Sequence, residues 1–242
     1  MRKIIMTGVV ALVVALAAPA ARADILFTSD PSNLCQLTGL GGGCETNILF
    51  ETSEVGSQIT GEVDHSGVSV IFDTLTQQQL DQKAKGQADI FCTAGGVNGC
   101  PDDPNNNLTS LLTSIEMKAQ KGTAWTDAHI NLNNGTGTAL VTVTDQTGAT
   151  FTDKLGPGQN DVGIYVKPGT NEVITDIQVT NNDTSGNPVL MGFEDFKQPR
   201  VSGLCTLVGT TCTPIPTPEP ASLGLLGTGL LGLGLLARRR RR

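Results

Sequence analysis

The sequence predicts a mostly β protein whose body is an antiparallel β-sandwich. Stretches rich in Thr, Val and Ile alternate apolar and polar residues, and Gly, Pro and Asn turns separate these stretches at short intervals. Many short strands joined by such turns are typical of a sandwich. The predicted strands cover residues 58–64, 67–74, 124–132, 138–145, 162–167 and 173–181.

The segment at 138–145 has the clearest alternation. Ala139, Val141 and Val143 share one face, and Leu140 shares the other with threonines. Two segments are exceptions to the strand pattern. Residues 75–86 could form a short helix, and residues 108–120 could form either a helix, capped by Asn107 or Thr109, or a strand.

The N-terminal end has the composition of a signal peptide. Arg2 and Lys3 precede an apolar stretch at residues 4–18, and Ala21 and Ala23 supply the small residues before a cleavage site. Signal peptidase is therefore expected to remove residues 1–23. The β-sandwich ectodomain then covers residues 24–207, and the Thr/Pro-rich residues 208–217 are expected to form an extended stalk.

The C-terminal end combines three features in order. The tripeptide Pro218, Glu219 and Pro220 precedes an apolar run over residues 221–237. A basic cluster ends the chain: Arg238, Arg239, Arg240, Arg241 and Arg242. The run, at about 17 residues, has the minimum length for a transmembrane helix, and its glycines weaken it. The arginines are expected to stop transfer and to hold that end in the cytoplasm.

This tail resembles the PEP-CTERM sorting signal of Gram-negative bacteria over residues 218–242. The resemblance implies that an exosortase, a membrane enzyme, recognises the tail and cleaves near the Pro-Glu-Pro tripeptide. It also implies a precursor anchored in the inner membrane and a body released or transferred to the cell surface. An ordinary tail anchor behind a Pro-rich stalk is the alternative.

The body is strongly acidic once both terminal segments are set aside. Of 16 basic and 23 acidic residues, eight basic ones and Glu219 lie outside residues 24–217, which leaves 8 basic and 22 acidic residues and a net charge of −14. This charge disfavours binding to nucleic acid or anionic lipid. Divalent cations or positively charged matrix components are better expected partners.

Six cysteines lie in the body, as expected in an oxidising compartment. They form three close couples: Cys35 with Cys44, Cys92 with Cys100, and Cys205 with Cys212. Fifteen connectivities are possible, and the local pairs are favoured because each closes a loop of about ten residues. Zinc is disfavoured, since no couple has the spacing of a zinc knuckle and both histidines lie far away.

Calcium is the one possible cofactor, with two candidate sites. Asp103, Asn105 and Asn107 occupy positions one, three and five of an EF-hand-like loop, but the Gly and Glu that such a loop requires later are missing. Glu194 and Asp195 form the second candidate, in a segment at 191–198 that is similar to one often placed before a PEP-CTERM tail. In the alternative, Phe193 alone or Phe193 with Phe196 belongs to the core, and the two carboxylates belong to a turn or strand edge.

The motifs argue against an enzyme. Asp64, His65 and Ser66 are triad residue types, but adjacent residues of a strand point to opposite faces and the three are expected to form a hairpin turn. A carboxylate pair of a secreted hydrolase is the less favoured possibility.

The expected function is therefore that of an exported surface or extracellular-matrix protein, structural or adhesive and associated with exopolysaccharide. A secreted module that binds carbohydrate or calcium is the alternative. For sugar binding, Trp125 is either an exposed ring or a core residue, with the core favoured.

Overall fold

The computed structural model describes residues 24–39, 45–51, 53–82, 86–87, 89–93, 99–100, 110–181 and 192–215. The predicted signal peptide and the predicted sorting signal lie outside these ranges. Within them, no helix has the length and apolar character needed to cross a membrane.

The described part of the chain is mostly β. The elements are β1 Ile25–Thr28, a 3-10 turn Pro31–Asn33, α1 Leu34–Leu37, β2 Thr46–Phe50, β3 Val55–Gly56, β4 Gln58–Val63, β5 Val68–Asp73, β6 Gln79–Gln82, β7 Gly86–Gln87, β8 Asp89–Thr93, β9 Ser114–Ala119, β10 Thr123–Ala124, β11 Asp127–Gly135, β12 Ala139–Asp145, β13 Thr150–Leu155, β14 Gly158–Val166, β15 Ile174–Asn181, β16 Asp195–Ser202, β17 Cys205–Val208 and β18 Thr211–Pro214.

All strand pairs are antiparallel, and the strands follow the order β1-β14-β11-β16-β2-β4-β5-β9-β15-β12-β13. Strand β2 joins the two halves of this path. Thr46 and Asn47 pair with β16, whereas Ile48 and Leu49 pair with β4. The arrangement is consistent with the predicted sandwich, in which such a strand passes from one layer to the other.

The core lies between the two halves and is built by strand alternation. Val68, Val70 and Phe72 of β5 are buried, while the residues between them are partly exposed. The Phe72 ring lies 5.6 Å from that of Phe50 and 6.1 Å from that of Phe196, measured between centroids. These contacts connect β2, β5 and β16 in one hydrophobic cluster.

Most of the predicted strands are present. Strands β4, β5, β12 and β15 match their predicted ranges within one residue, and β14 begins four residues before the predicted start at 162. The strand predicted at 124–132 is interrupted near its start. Ala124 pairs with Cys205 in a separate three-stranded sheet, Trp125 forms an isolated bridge with Ile174, and β11 begins at Asp127.

The possible helix at 75–86 is wrong, because β6 and β7 occupy its second half. The cause is a tertiary interaction. The buried Gln78 side chain accepts a hydrogen bond from the Thr113 amide at 2.8 Å and donates one to the Leu111 carbonyl at 3.0 Å, just before β6 pairs with β8. Of the alternatives at 108–120, the strand is correct over β9.

The predicted stalk at 208–217 is wrong over residues 208–214. Strand β18 pairs with β17, and a disulfide between Cys205 and Cys212 links the two strands. The stretch has the β-branched threonines that a strand favours, and the turn at Gly209 takes the positive φ that glycine allows. The ordered fold therefore continues to Ile215, whose amide bonds to the Leu204 carbonyl.

The cysteine pairs agree with the prediction wherever both partners are described. Cys92 bonds to Cys100, and Cys205 bonds to Cys212. Cys35 is also disulfide-bonded, and Cys44, its predicted partner, lies outside the described residues.

Candidate functional site

Charged side chains gather on the outward surface of β11, β14 and β16. In β11, Ala128, Ile130 and Leu132 point into the core, so His129 and Asn131 point away from it. We call this surface the polar face and define it by Glu45, Asp89, Asp127, His129, Asn131, Asp161, Asp195, Lys197 and Arg200.

The strand register places these groups beside one another. His129 lies opposite Arg200 of β16, and Asn131 lies opposite Asp161 of β14 and Lys197 of β16. Lys197 and Arg200 are three residues apart and would point to opposite faces of a regular strand. A register shift between His129 and Asn131, where Gln198 has φ of 45°, inserts the residue that returns both cations to the polar face.

His129 lies between two carboxylates. Its Nε2 contacts Asp161 Oδ1, and its Nδ1 lies 3.5 Å from Glu45 Oε2. Burial lowers the pKa of His129, but the two neighbouring carboxylates outweigh it, so the pKa is raised above its ordinary value. The protonated, positively charged imidazole is therefore favoured.

Glu45 connects this histidine to β16. Arg200 donates from its terminal guanidinium nitrogen to Glu45 Oε2 at 3.3 Å. Burial raises the pKa of Glu45, but hydrogen bonds and charges from His129 and Arg200 outweigh burial and hold it below its ordinary value. Glu45 is thus an ionised bridge between two cations.

Asp127 is the most deeply buried member of the polar face, with no exposed surface. Ser202 donates to its Oδ1, and Thr126 donates to its Oδ2 at 2.8 Å. Burial nevertheless raises the pKa of Asp127 to about 6, and the nearby charge of Glu45 adds to this effect.

The far side of the polar face carries a second ion pair. Lys197 Nζ lies 3.1 Å from Asp195 Oδ2, and Asp89 faces Lys197 across the β8–β16 pair. The hydrogen bond to Asp195 raises the pKa of Lys197. Burial raises the pKa of Asp195, although Lys197 opposes it.

The segment around α1 packs along one edge of the polar face. The buried Leu34 side chain packs over Gly163, where a Cβ would lie only 2.8 Å from a Leu34 methyl group and 2.7 Å from the Thr28 methyl group. Glycine is therefore needed here for the close approach of α1 to β14. Tyr165, two residues further along β14, shares this face and is partly exposed.

A second polar cluster lies on the outward surface of β9 and β15, in the other half of the strand path. Gln178 Nε2 donates to Glu116 Oε1 at 2.8 Å and to Asp176 Oδ2 at 2.9 Å, and Lys118 pairs with Glu116. Burial and the neighbouring Glu116 charge raise the pKa of Asp176 to about 7. The members of this cluster thus bond to one another.

The predicted calcium residues do not converge in the part of the chain that is described. Glu194 accepts a hydrogen bond from the Asn134 side chain at 2.5 Å, whereas its neighbour Asp195 pairs with Lys197. Across the described ranges, no group of three or more His, Cys, Asp or Glu side chains could hold a metal ion. Asp103, Asn105 and Asn107 lie outside those ranges.

The other candidate residues named from the sequence lie in the core or in a turn. Phe193 and Phe196 are buried core residues, as expected in the alternative to a calcium site. Trp125 is fully buried and cannot serve as an exposed sugar platform. His65 is exposed in the β4–β5 turn, where it lies 3.5 Å from Asp64, and Ser66 instead donates to the Val63 carbonyl.

The sequence did not single out the polar face. The alternating His129, Asn131 and Asn133 of β11 were a local signal for a polar strand surface. Their partners come from residues 45, 161 and 200, and only the strand register and the bulge at Gln198 bring these together.

Comparisons with known proteins identify the C-terminal segment. The family model of the PEP-CTERM protein-sorting motif matches residues 216–242. No curated protein matches the chain significantly in sequence.

Two solved structures overlap weakly with the fold. A mutant of CBM29-2, a family 29 carbohydrate-binding module, has a TM-score of 0.27 and 12% identity, covering 74% of this chain and 90% of that one. Bacillus subtilis oxalate decarboxylase, with Mn(II) centres, has a TM-score of 0.14 and 13% identity, covering 62% of this chain and 33% of that one. Scores this low support no functional argument.

The motif match agrees with the residues of the tail: the Pro-Glu-Pro tripeptide, the apolar run and the terminal arginines all fall within 216–242. The motif begins immediately after Ile215, the last described residue of the β fold. The chain thus carries a PEP-CTERM protein-sorting motif, which implies an exported protein directed to the cell surface.

Proposed function

We propose that this chain is a surface or extracellular-matrix protein that an exosortase sorts and processes, and that its β body is a structural or adhesive component associated with exopolysaccharide. The observation that supports this proposal most directly is the sorting motif at residues 216–242, which follows a hairpin closed by a disulfide. A disulfide-bonded folded body joined to a processing signal suits a protein that is displayed and left outside the cell.

In this proposal the two ends act in turn. Signal peptidase removes residues 1–23, and a transmembrane helix at 221–237 holds the precursor in the inner membrane with its arginines in the cytoplasm. The exosortase then cleaves near Pro218, Glu219 and Pro220. The acidic body and its disulfides support this route, because both suit a soluble domain in an oxidising compartment.

We propose a non-enzymatic role for the body. The two histidines support this, because His65 sits in an exposed turn and His129 is engaged by Glu45 and Asp161 rather than by a nucleophile. A carbohydrate-binding module is the second candidate function, and the polar face is the observation that favours it.

Mass spectrometry of the protein from a Gram-negative host with and without an exosortase tests the proposal. We expect a species truncated near residue 218 in the first host and the uncleaved tail in the second. The triple substitution Pro218→Ala, Glu219→Ala and Pro220→Ala should leave the tail uncleaved in both, whereas Pro214→Ala, in β18, should be processed normally. Identical full-length tails in both hosts would contradict the sorting proposal.

A further inference from the structure

Several polar atoms without a hydrogen-bond partner collect on the polar face. Among the described residues, these buried atoms on the face have none: Glu45 Oε1, Asp89 Oδ1, Asn131 Oδ1, Asp195 Oδ1 and Arg200 Nε. Buried polar groups in folded proteins are nearly always paired. A concentration of such atoms on one surface therefore points to groups that bond to something outside the chain.

The atoms lie among side chains of unequal exposure, of which Arg200 is 34% exposed. The side chains of Glu45 and His129 are each 13% exposed, whereas those of Asp161 and Lys197 are 46% and 38% exposed. Neighbouring strands lie about 4.8 Å apart, so the four strands from β14 through β11 and β16 to β8 span roughly 14 Å. The polar face is thus wide enough for an extended ligand with several polar groups.

The atoms without a partner include both acceptors and a donor, so they fit a ligand that itself donates and accepts hydrogen bonds. The carboxylates and Asn131 Oδ1 accept, while Arg200 Nε donates. Hydroxyl groups meet both requirements because each donates one hydrogen bond and accepts others. A metal ion is a poor fit, since His129, Lys197 and Arg200 place positive charge among the carboxylates.

Charge also argues against an anionic ligand. The polar face holds five carboxylates, from Glu45 and four aspartates, against three basic side chains, and the body that carries it has a net charge of −14. An acidic polysaccharide would be repelled at long range. At one end lies Tyr165, a partly exposed residue whose side chain combines an apolar ring, on which a sugar can stack, with a polar hydroxyl.

We infer that the polar face is a binding site for a neutral, hydroxyl-rich glycan chain. Asn131 and Arg200 make central hydrogen bonds to it, and Lys197 and Asp161 rim the site. This inference deepens the proposed association with exopolysaccharide by naming the surface and the ligand class. It concerns binding by the purified protein and is independent of how the tail is processed.

Affinity electrophoresis and titration calorimetry of the full-length protein in detergent test the inference. The probes are three neutral polysaccharides, dextran, galactomannan and xyloglucan, with alginate as the anionic comparison. We expect saturable binding to at least one neutral polymer and at least tenfold weaker binding by Asn131→Ala and by Arg200→Gln. The matched controls Asn171→Ala and Lys154→Ala, at exposed positions away from the polar face, should bind like the parent protein.

Folding of each variant is checked by its melting temperature. Lys197→Ala is a further variant at an exposed rim position. It keeps the test valid when a central substitution unfolds the protein. We expect it to weaken binding at least threefold. Binding to none of the neutral polymers, preference for alginate, or binding unchanged by every polar-face variant would overturn the inference. If the protein bound no glycan but its tail were cleaved normally, the sorting proposal would stand. If it bound glycan but its tail were not cleaved, this inference would stand.

Discussion

The amide of Ile215 donates a hydrogen bond to the carbonyl of Leu204 over 2.9 Å, and Pro218 follows only three residues later. A chain extends by at most about 3.6 Å per residue, so Pro218 lies within roughly 11 Å of this bond. Any enzyme that cleaves near the Pro-Glu-Pro tripeptide must therefore work close to the disulfide-closed hairpin of β17 and β18.

This proximity predicts that a spacer speeds processing. We expect six Gly/Ser residues inserted after Pro216 to raise the rate at which the truncated form accumulates in a host with the exosortase, because the folded hairpin then lies farther from the cleavage site. Pulse-chase labelling measures the rate. The same insertion after Gly148, in the exposed β12–β13 turn, is the control and should leave the rate unchanged; an equal rate for both insertions would show that the hairpin does not hinder cleavage.

The buried pair of Asp127 and Ser202 gives a prediction on stability. Ser202→Ala removes the donor to Asp127 Oδ1 and leaves a buried carboxylate oxygen without that partner. We expect the free energy of unfolding at pH 7.5 to fall by about 1–3 kcal/mol. Urea unfolding checks this, with Ser57→Ala at an exposed position as the control.

The cost of Ser202→Ala should also depend on pH. Burial raises the pKa of Asp127 to about 6 from an unfolded value near 3.8, so the folded protein holds this proton more tightly than the unfolded chain does. The unfavourable ionisation is therefore relieved as the pH falls through 6 toward 4. We expect the variant to lose less stability at pH 5 than at pH 7.5, and an equal loss at both would contradict an ionised Asp127 at neutral pH.

Gly163 is predicted to tolerate no side chain. A Cβ there would meet Thr28 and Leu34 at 2.7–2.9 Å, and Leu34 is fully buried and cannot move aside easily. We expect Gly163→Ala to lower the free energy of unfolding by about 1–3 kcal/mol through overpacking. Gly156→Ala, where a Cβ meets nothing within 4 Å, is the matched control, and equal melting temperatures for the two variants would show that the α1 segment yields.

The strands were predictable from the sequence where one face is regularly apolar. Val141 and Val143 of β12 are buried between partly exposed residues, and alternation alone marks such a segment. Alternation was less informative at β6, where the buried Gln78 and Gln82 resemble surface residues in composition. The burial of Gln78 depends on hydrogen bonds to residues more than 20 positions away, which no local pattern contains.

The candidate site was less predictable than the fold for the same reason. His129 is recognisable as a titratable residue in a strand, but its partners Glu45 and Asp161 lie 84 and 32 residues away in sequence. The side-chain direction of Arg200 depends on the bulge at Gln198. A single extra residue in one strand decides whether that cation faces the core or the polar face.

The second polar cluster leads to a prediction whose size depends on pH. Burial and the Glu116 charge raise the pKa of Asp176 to about 7, above an unfolded value near 3.8. At pH 8 the folded protein therefore holds an ionised carboxylate that is less stable than in the unfolded chain, whereas at pH 3 both states are largely protonated. Between these limits, ionisation of Asp176 lowers stability as the pH rises.

Asp176→Asn should remove this effect while keeping an acceptor for Gln178, whose Nε2 donates to Asp176 Oδ2 at 2.9 Å. We expect the variant to be more stable than the parent by about 1–2 kcal/mol at pH 8, a figure that allows for screening of a partly exposed group by solvent. At pH 3 the two proteins should unfold alike. Urea unfolding at both pH values measures the difference, with Asp153→Asn at an exposed position of β13 as the control; destabilisation at pH 8 would mean that the Asp176 charge is stabilised by Lys118 rather than opposed by Glu116.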